Sequence, residues 1–317
     1  MEIIESIHTK GIVRSNPRIL SMLLKDQTLS TSVETVNIYW ATNDYSSISY
    51  KEKEQKTEHY GYYSRIFPED ISGSNNGLIT PRVFKHKNLQ TTRAKERAEV
   101  FTPAWICNAQ NNLVDERWFG RKNVFNTESV DIQGNHKWIQ NTSHIVFPEG
   151  KDWKAYIRCR RLEMACGEAP YLVSRYDTTT GEQIPISKRI GIIDRKFRVI
   201  SENTPAEPTK LNKRHWLRKA YQALQSVYGF DWQGDNVFLA RESLFHTFCD
   251  YYLQRWGRLP HAGAMTKAAE IISWNVWQMD GTSFTIPHTD RDAIIMEWHC
   301  SEPLKGKQVS FKELIRK

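Results

Sequence analysis

The sequence predicts an α/β fold built around a parallel sheet. Four short apolar runs with the length of strands each end in an acidic residue, namely Glu163, Asp231, Asp280 and Glu297. Helical patterns lie between these runs, and strands that alternate with helices usually form a parallel sheet whose carboxyl ends meet at one edge. The 317 residues, 39% hydrophobic and 25% charged, are enough for a substantial core and typical of a globular protein.

The first run belongs to a stretch from Arg161 to Leu172 that reads as a strand, a turn and a helix continuing to about Tyr176. Ligands of open α/β sheets bind at the carboxyl ends of the strands. Gly167 lets a backbone approach a ligand closely, and Glu163 at the strand end can bind the ligand's polar groups. The alternative interpretation is an ordinary strand, turn and helix with an incidental glycine.

The later runs repeat this arrangement. The run from Ser226 to Asp231 precedes a long helical pattern, and a strand-end carboxylate is the group that binds a ribose diol in dinucleotide-type sites. Asp231 is therefore a candidate ribose ligand, and the alternative is a helix-capping aspartate. The runs from Trp274 to Met279 and from Ala293 to Met296 complete the predicted sheet.

A helix is predicted after the segment that ends in Phe101, Thr102 and Pro103. Thr102 fits the N-cap and Pro103 the first helical position. The apolar residues that follow share one helical face, namely Ile106, Ala109, Leu113 and Val114. Exposed amides at such a helix start suit an anionic group such as a carboxylate. A simple capped helix is the alternative.

We expect two parts in the chain. Residues 1–95 have the irregular pattern of a mixed α+β module, including a short helix over Arg18 to Leu24. Residues 96–317 form the sheet domain, with a basic, proline-containing insertion at about 177–212. Three tyrosines of the first part either stack on nucleic-acid bases or pack in the core, namely Tyr60, Tyr62 and Tyr63.

Positive charge favours a polyanionic partner. The net charge is +8 and the pI about 9.1. Ten basic residues lie between Lys188 and Lys219, against three acidic ones. Seven of them are the candidate contacts to nucleic-acid phosphates, namely Lys188, Arg189, Arg195, Lys196, Arg198, Lys213 and Arg214. The alternative is a solvated basic surface.

Composition argues against several other classes. No run of about 18 apolar residues exists, which predicts no membrane-spanning helix. The first residues lack the basic start and apolar core of a signal peptide. Five scattered cysteines without metal-ligand spacing fit free thiols in a reducing cytoplasm, with neither zinc nor disulfides indicated. We therefore expect a cytoplasmic protein without a metal site.

Taken together, these residues resemble the amino-methylating DNA methyltransferases of restriction–modification systems, in particular the adenine-N6 group. The segment Ala98 to Pro103 is similar to the family's segment ending in Phe-Thr-Pro, which implies that Phe101, Thr102 and Pro103 contact the methionine part of S-adenosylmethionine. The stretch from Glu163 to Leu172 resembles Asp-Pro-Ala-Cys-Gly-Ser-Gly-x-Phe-Leu. The resemblance implies a cofactor cleft lined by Glu163, Ala165, Cys166 and Gly167.

Two later motifs follow in the family's order. Gly229-Phe230-Asp231 looks like the second motif, whose acid binds the cofactor ribose, and Gln278-Met279-Asp280 looks like the third, whose aspartate approaches the adenine. The match covers about residues 98–298. It implies a class I S-adenosylmethionine-dependent methyltransferase-like Rossmann sheet, either complete or truncated.

Three departures from the family pattern stand out. Ala169 replaces the second glycine of the first motif, and 68 positions separate Glu163 from Asp231, which is wider than such folds need. The acceptor motif Asn/Asp-Pro-Pro-Tyr does not occur, and its expected place is Ile295 to Trp298. There Glu297 can accept a hydrogen bond from the target amine and Trp298 can stack on an extruded base, while an ordinary strand end is the alternative.

The resemblance implies S-adenosylmethionine-dependent methylation of DNA, most often at adenine N6, in a restriction–modification or phage-defence system. In this interpretation Glu297, Trp298 and Asp280 are the catalytic candidates. The short tail after Trp298 cannot supply the remaining strands and a target-recognition domain, so residues 1–95 and the insertion, or a second protein chain, would fill these roles. The alternatives are a non-catalytic or split subunit that binds DNA or a partner chain, and a methyltransferase with an acceptor other than DNA.

Overall fold

The computed structural model describes residues 11–46, 59–97, 99–299 and 305–316. It is a mixed α/β structure with small sheets, one of which is parallel. The helices are α1 (Pro17–Leu24), α2 (Lys87–Arg97), α3 (Ala104–Phe119), α4 (Trp153–Arg158), α5 (Ile192–Glu202), α6 (Lys210–Leu224), α7 (Gly234–Trp256), α8 (Ala262–Asn275) and α9 (Phe311–Ile315). The strands are β1 (Asn126–Val130), β2 (His136–Gln140), β3 (Arg161–Met164), β4 (Val227–Asp231), β5 (Val276–Gln278), β6 (Ile294–Trp298) and β7 (Gly306–Ser310).

The parallel sheet has three strands in the order β3-β4-β5. Met164 of β3 lies opposite Phe230 of β4, and Asp231 lies opposite Gln278 of β5. Helices α5 and α6 connect β3 to β4, and α7 and α8 connect β4 to β5. Three of the four predicted strands are therefore confirmed as neighbours in one parallel sheet, and their carboxyl ends share one edge.

The fourth predicted strand does not join this sheet. Strand β6 instead pairs antiparallel with β7, with Ile295 opposite Val309. The 15 residues between Gln278 and Ile294 form turns and one isolated bridge. A parallel return needs a crossover that is usually a helix, and these residues do not form one. The β6–β7 hairpin lies against the sheet, since the Tyr228 hydroxyl donates to the Met296 carbonyl.

The helix predicted to follow Leu172 is absent, and a single turn replaces it. The carbonyls of Tyr171 and Leu172 accept the amides of Ile192 and Ile193, at the start of α5. A continuing helix would need those same carbonyls for its own hydrogen bonds. The tertiary contact with α5 therefore ends the turn, and the next helix begins only at Ile192.

Helix α7 is the centre of the molecule. Nineteen of its 23 residues are buried, as expected of a helix that has neighbours on every side. It packs against α8, α5, α1 and the strands β4 and β5. Phe248 of α7 lies in an aromatic cluster with Phe197 of α5 and Trp216 of α6, which joins the helical layer into one hydrophobic core.

The residues before position 96 share this core. Helix α1 agrees with the predicted helix over Arg18 to Leu24, and the Asn16 side chain caps it by accepting the Ile19 amide at 3.3 Å. The buried Arg241 guanidinium of α7 donates to the carbonyls of Leu23 and Lys25 at 2.7 and 2.9 Å. In the part of the chain that the structure describes, the proposed boundary at residue 95 therefore does not separate two cores.

Candidate active site

A cleft of about 510 Å³ opens at the carboxyl edge of the parallel sheet. Its floor is the ends of β3, β4 and β5, and its walls come from the turn after β3 and from the segment before α3. The lining includes Tyr62, Glu99, Phe101, Thr102, Glu163, Ala165, Cys166, Gly167, Glu168, Tyr171, Phe230, Asp231, Trp232, Asn236, Met279 and Gly281. The predicted cofactor residues, except Pro103, thus come together in one cavity.

The turn after β3 has an unusual backbone. Ala165, Gly167 and Ala169 all have positive φ angles, of 50°, 52° and 60°. Alanine in this region costs of order 1 kcal/mol, which the surrounding contacts must offset. Ala169 takes the place of the family's second glycine and is fully buried, so the turn keeps the left-handed conformation without a glycine. The space next to Gly167 is open, since an added Cβ would meet nothing within 4 Å.

Asp231 connects the turn to the end of β4. One carboxylate oxygen accepts the Gly167 amide at 2.9 Å, and the other accepts the Gln233 amide at 2.9 Å. The enclosed position raises the pKa of Asp231 to about 6, although these hydrogen bonds act in the opposite direction. The carboxyl group therefore titrates near pH 6, and it lines the cavity.

Glu163 holds the turn from the inside. Its two oxygens accept the amides of Leu172 and Tyr171, at 3.1 and 3.4 Å. Burial, and then the nearby Asp231 charge, raise the pKa of Glu163 to about 8. Glu163 thus shapes the cleft by fixing the backbone of residues 171 and 172.

The segment before α3 lies in the cleft wall, but its cap differs from the prediction. Pro103, rather than Thr102, is the N-cap residue, and the helix begins at Ala104. The Asp177 carboxylate accepts the Ala104 amide at 2.8 Å. This amide of the helix start is therefore already occupied from within the chain. Val100, Phe101 and Thr102 are among the residues of the segment that line the cavity.

Glu99 is a cleft residue that the sequence interpretation missed. Its carboxylate accepts the Asn236 side-chain amide at 3.0 Å and forms an ion pair with Arg93 at 3.1 Å. The fully buried Arg93 also pairs with Asp44 and Asp235. These contacts fix Glu99 in place beside Asp231. Its position two residues before Phe101, in the segment from Ala98 to Pro103, is the signal that could have identified it.

The charged side chains that line the cleft are acidic. Four acidic residues line it, namely Glu99, Glu163, Glu168 and Asp231, and they are accompanied by the aromatic rings of Tyr62, Phe101, Tyr171, Phe230 and Trp232. Among the described residues, no lysine, arginine or histidine lines this cavity. Such a cleft favours a cationic ligand with polar hydroxyl groups and a flat ring, because carboxylates attract the charge and aromatic faces accept both cation and ring.

A group of aromatic rings lies at the rim of the cleft. The His288 ring is 4.5 Å from that of Tyr63, 4.7 Å from that of Tyr62 and 5.7 Å from that of Trp232. Tyr63 is 70% exposed, whereas Tyr60 is buried and packs on Trp40. Of the three tyrosines considered in the sequence, Tyr60 thus belongs to the core, and Tyr62 and Tyr63 lie beside the cleft.

Asp280 follows β5, but its carboxylate stabilises its own turn. One oxygen accepts the amides of Thr282 and Ser283 at 2.6 and 2.9 Å. The Ser283 amide is the main reason that the pKa of Asp280 is lowered. The neighbours Met279 and Gly281 line the cleft, and Asp280 itself does not.

Glu297 and Trp298 lie at the opposite end of the sheet, which corrects their assignment to the catalytic site. The Trp298 indole donates to Asn275 at 2.7 Å, just before β5 begins. Glu297 forms an exposed ion pair with Arg160 at 3.1 Å, just before β3 begins. Because β6 pairs antiparallel with β7 instead of joining the sheet, its end is at the amino edge and neither side chain reaches the cleft.

The prediction that a basic cluster of seven residues, between Lys188 and Arg214, contacts nucleic-acid phosphates is also corrected, because three of the seven are buried. Arg195 pairs with Asp115 at 2.6 Å, and Arg189 pairs with Asp250 at 2.9 Å. The Lys196 ammonium donates to the Cys159 carbonyl at 2.7 Å, and burial lowers its pKa to about 7. The backbone phosphates of a nucleic acid cannot reach these groups, since they are buried in and beside α5. The residues of the cluster that keep access to solvent are Lys188, Arg198, Lys213 and Arg214.

The described residues contain no group of three or more histidine, cysteine, aspartate or glutamate side chains placed to hold a metal ion. Cys107, Cys159, Cys166 and Cys249 are free thiols. No helix among the described residues is long and apolar enough to cross a membrane. No protein-family model, curated protein or solved structure matches the chain.

Proposed function

We propose that the protein is an S-adenosylmethionine-dependent methyltransferase that acts on nucleic acid, in the first place on the adenine amino group of DNA. The observation that carries this proposal is the acidic, aromatic cleft at the carboxyl edge of the sheet. Ligands of open α/β sheets bind at this edge. The charge and the aromatic rings of the lining then distinguish among nucleotide-like ligands.

S-adenosylmethionine carries a sulfonium and an ammonium group against one carboxylate, so its net charge is positive. Asp231, about nine-tenths ionised at pH 7, complements that charge, whereas Glu163, with a pKa of about 8, is mostly protonated at this pH. A dinucleotide such as NAD carries two phosphates, which need amides of a helix start or basic side chains. The described lining offers no basic side chain, and Asp177 occupies the first amide of α3. The cofactor of the resembling family therefore fits this cleft better than a dinucleotide does.

The order of the strands supports the same proposal. In doubly wound sheets the first three strands are consecutive neighbours, and ligands bind beside the first strand, where the order reverses. Here the strand with the first motif lies beside the strand with the second, which lies beside the strand with the third. Gly167, Asp231 and Met279 thus follow one another across the cleft floor.

In this proposal the chain's own residues bind and orient the two reactants. Asp231 accepts hydrogen bonds from the ribose hydroxyl groups, and Phe101 and Thr102 bound the space for the methionine end. The bound cofactor supplies an electrophilic methyl group. The exposed ring of Tyr63, together with Tyr62 and Trp232, offers stacking surfaces for an extruded base at the rim of the cleft. Lys188, Lys213 and Arg214 are the proposed phosphate contacts.

Calorimetric titration of the full chain with S-adenosylmethionine, S-adenosylhomocysteine and NAD tests the cofactor site. We expect micromolar binding of the first two, at least about 100-fold weaker binding of NAD, and a loss of at least about 10-fold in Asp231→Ala. Asp292→Ala is the matched control, because this aspartate pairs with Lys312 at the protein surface. Equal binding of NAD, or unchanged affinity in Asp231→Ala, would contradict the assignment.

The same titration has an expected pH dependence. The pKa of Asp231 is about 6, so its carboxylate is about nine-tenths ionised at pH 7 and about one-tenth ionised at pH 5. The ionised form attracts a cation and accepts two hydroxyl groups. Affinity for S-adenosylmethionine should therefore fall by up to about 10-fold from pH 7 to pH 5 in the native chain. In Asp231→Asn the affinity should be lower at pH 7 and change much less over this interval.

One observation favours a second candidate, a methyltransferase subunit that needs a partner chain. Strand β3 pairs only with β4 among the described strands, so one edge of the parallel sheet is open. Its side chains Leu162 and Met164 are 44% and 71% exposed. Open edges and exposed apolar groups are features that a further strand can cover. A chain that binds the cofactor but transfers no labelled methyl group to DNA or RNA by itself would favour this candidate over a complete enzyme.

A further inference from the structure

Helices α4 and α6 share a surface on which basic side chains are almost unopposed. Helix α6 has five lysine and arginine residues among its 15 residues and no carboxylate. Helix α4 packs against it and has one lysine, one arginine and no carboxylate. Five of these seven basic side chains are exposed, and we call them the basic face, namely Lys154, Arg158, Lys210, Arg214 and Arg218.

The spacing of the basic face is regular. Lys210, Arg214 and Arg218 follow one another at intervals of four residues, so they form one exposed stripe about 12 Å long on α6. Lys154 and Arg158 have the same interval on α4. Like charges at this interval destabilise a helix, and basic residues near its start oppose the helix dipole. The stripe therefore does not stabilise its own helix, whereas the negative charge of a partner would offset its repulsion.

The positive charges of the two helices lie close enough to act on one another. Burial, and then three neighbouring cations, lower the pKa of His215 on α6. Burial and three cations, including Arg158 of α4, also lower the pKa of Lys219, and Asp152 acts in the opposite direction. Among the described residues, none of the five members of the basic face forms an ion pair with a carboxylate. Ion pairs within this part of the chain therefore leave the basic face without a counter-charge.

The shape of this surface favours an extended partner over a small anion. The cavity beside Arg158 has a volume of about 20 Å³, which is room for about one water molecule. A discrete anion would thus find no enclosed site there. A nucleic-acid duplex instead carries one negative charge for about every 1.7 Å of its axis, and such a polymer can meet all members of an exposed stripe at once.

We propose that the basic face binds the phosphate backbone of a nucleic-acid duplex. This inference rests on the proposed function for the choice of polyanion, and it adds four phosphate contacts to Arg214, namely Lys154, Arg158, Lys210 and Arg218. Contacts of this kind position a nucleic acid and do not read its base sequence. The basic face therefore contributes to affinity for any duplex, and recognition of a target sequence has to come from other residues.

Fluorescence anisotropy with a labelled DNA duplex tests the proposal on the full chain without cofactor. The duplex has about 20 base pairs, and affinity is measured between about 50 and 200 mM salt. In the native chain the logarithm of the affinity should fall linearly with the logarithm of the salt concentration, because neutralised phosphates release counterions. Combining Lys154→Gln, Arg158→Gln and Arg218→Gln should reduce the magnitude of this slope by about 2 to 3, since each contact contributes about 0.9. The affinity at about 100 mM salt should fall at least about 10-fold.

A second triple variant is the matched control. Combining Arg18→Gln, Lys87→Gln and Lys95→Gln removes the same number of exposed positive charges from α1 and α2. Its slope should change by less than about 1. Equal slopes in the two triple variants would overturn the proposal, because net charge alone would then explain the binding.

Single variants decide the question if the first triple variant does not fold. Arg218→Gln should reduce the magnitude of the slope by about 0.9, and Arg218→Lys, which keeps the charge, should restore it. An unchanged slope in a folded Arg218→Gln would then contradict the assignment of this residue and of the face.

Competition identifies the class of polyanion. At equal concentrations of charge, unlabelled duplex should displace the labelled duplex at least about 10-fold more effectively than poly-L-glutamate does. Equal displacement by poly-L-glutamate would indicate an acidic polypeptide as the partner and overturn the choice of nucleic acid. Duplex binding through the basic face in a chain that takes no S-adenosylmethionine would support this inference and contradict the proposed methyl transfer. Cofactor binding together with equal slopes in the two triple variants would contradict this inference alone.

Discussion

The contact between α7 and the segment that carries Tyr39 provides the sharpest test of the fold around the cleft. Gly234 is the first residue of α7, and its amide donates to the Trp40 carbonyl at 3.0 Å. A Cβ added at Gly234 would lie 1.8 Å from the Tyr39 carbonyl oxygen. A carbon and an oxygen need about 3.3 Å, so the segment would have to move by roughly 1.5 Å.

Such a shift breaks identifiable interactions. The Gln278 side chain accepts the Tyr39 amide at 2.8 Å and donates to the Tyr39 carbonyl at 2.9 Å. With the Gly234 bond, three hydrogen bonds are at risk, each contributing about 1 kcal/mol. Overpacking adds about 1–3 kcal/mol. We expect Gly234→Ala to lower the free energy of unfolding by about 4–6 kcal/mol.

Urea denaturation followed by circular dichroism and tryptophan fluorescence measures this loss. Gly263→Ala is the matched control, since Gly263 lies in the first turn of α8 and an added Cβ would be 3.4 Å from the His261 ring, an ordinary contact. That variant should keep its stability or gain up to about 1 kcal/mol from helix propensity. Equal midpoints for the two variants would refute the packing of α7 against residues 39 and 40.

Three further predictions concern buried charge and the corrected residues. The pKa of Glu163 is about 8 against an ordinary 4.5, so the folded chain holds a proton that the unfolded chain releases, and stability falls as pH rises from about 4.5 to 8. In thermal melts, the stability of Glu163→Gln should fall less steeply over this pH interval than that of the native chain. An unchanged slope would contradict the assignment of this pH dependence to Glu163. Arg195→Gln should lower the free energy of unfolding by about 3–5 kcal/mol in urea denaturation, because Asp115 loses its buried partner. Arg214→Gln, at an exposed position, should change this free energy by no more than about 0.5 kcal/mol. Trp298→Phe should leave the calorimetric affinity for S-adenosylmethionine within about 2-fold of the native value. It should lower the free energy of unfolding by about 1 kcal/mol, because the hydrogen bond to Asn275 is lost. A large loss of affinity would return Trp298 to the active site.

Helix α3 shows why part of the structure could not be read from the sequence. Its apolar residues predicted a buried face, yet Leu113 is 59% exposed. The face that turns inward is polar, with Asn108, Asn111 and Asp115 buried. Arg195 explains this reversal, because its guanidinium binds both Asn108 and Asp115. Periodicity measures only hydrophobicity along one helix, and it cannot detect a cation supplied from 80 residues away.

The sequence by itself determined the elements of the cleft. The alternation of strand-like runs with helical patterns predicted one parallel sheet, and the strands of a parallel sheet bring their carboxyl ends to one edge. Glu163, Gly167 and Asp231 therefore had to meet once those strands paired. The local signals of strand, turn and helix are enough for this inference, because each depends on a few adjacent residues.

Only the tertiary structure decided which side of the sheet the remaining candidates occupy. Strand β6 ends at the amino edge because it pairs with β7, which removes Glu297 and Trp298 from the cleft. Arg195 and Lys196 are core residues because their partners come from α3, α4 and the start of β4. Such choices depend on contacts between residues far apart in the chain, and the burial of a charge is set by the partner it finds and not by its own residue type.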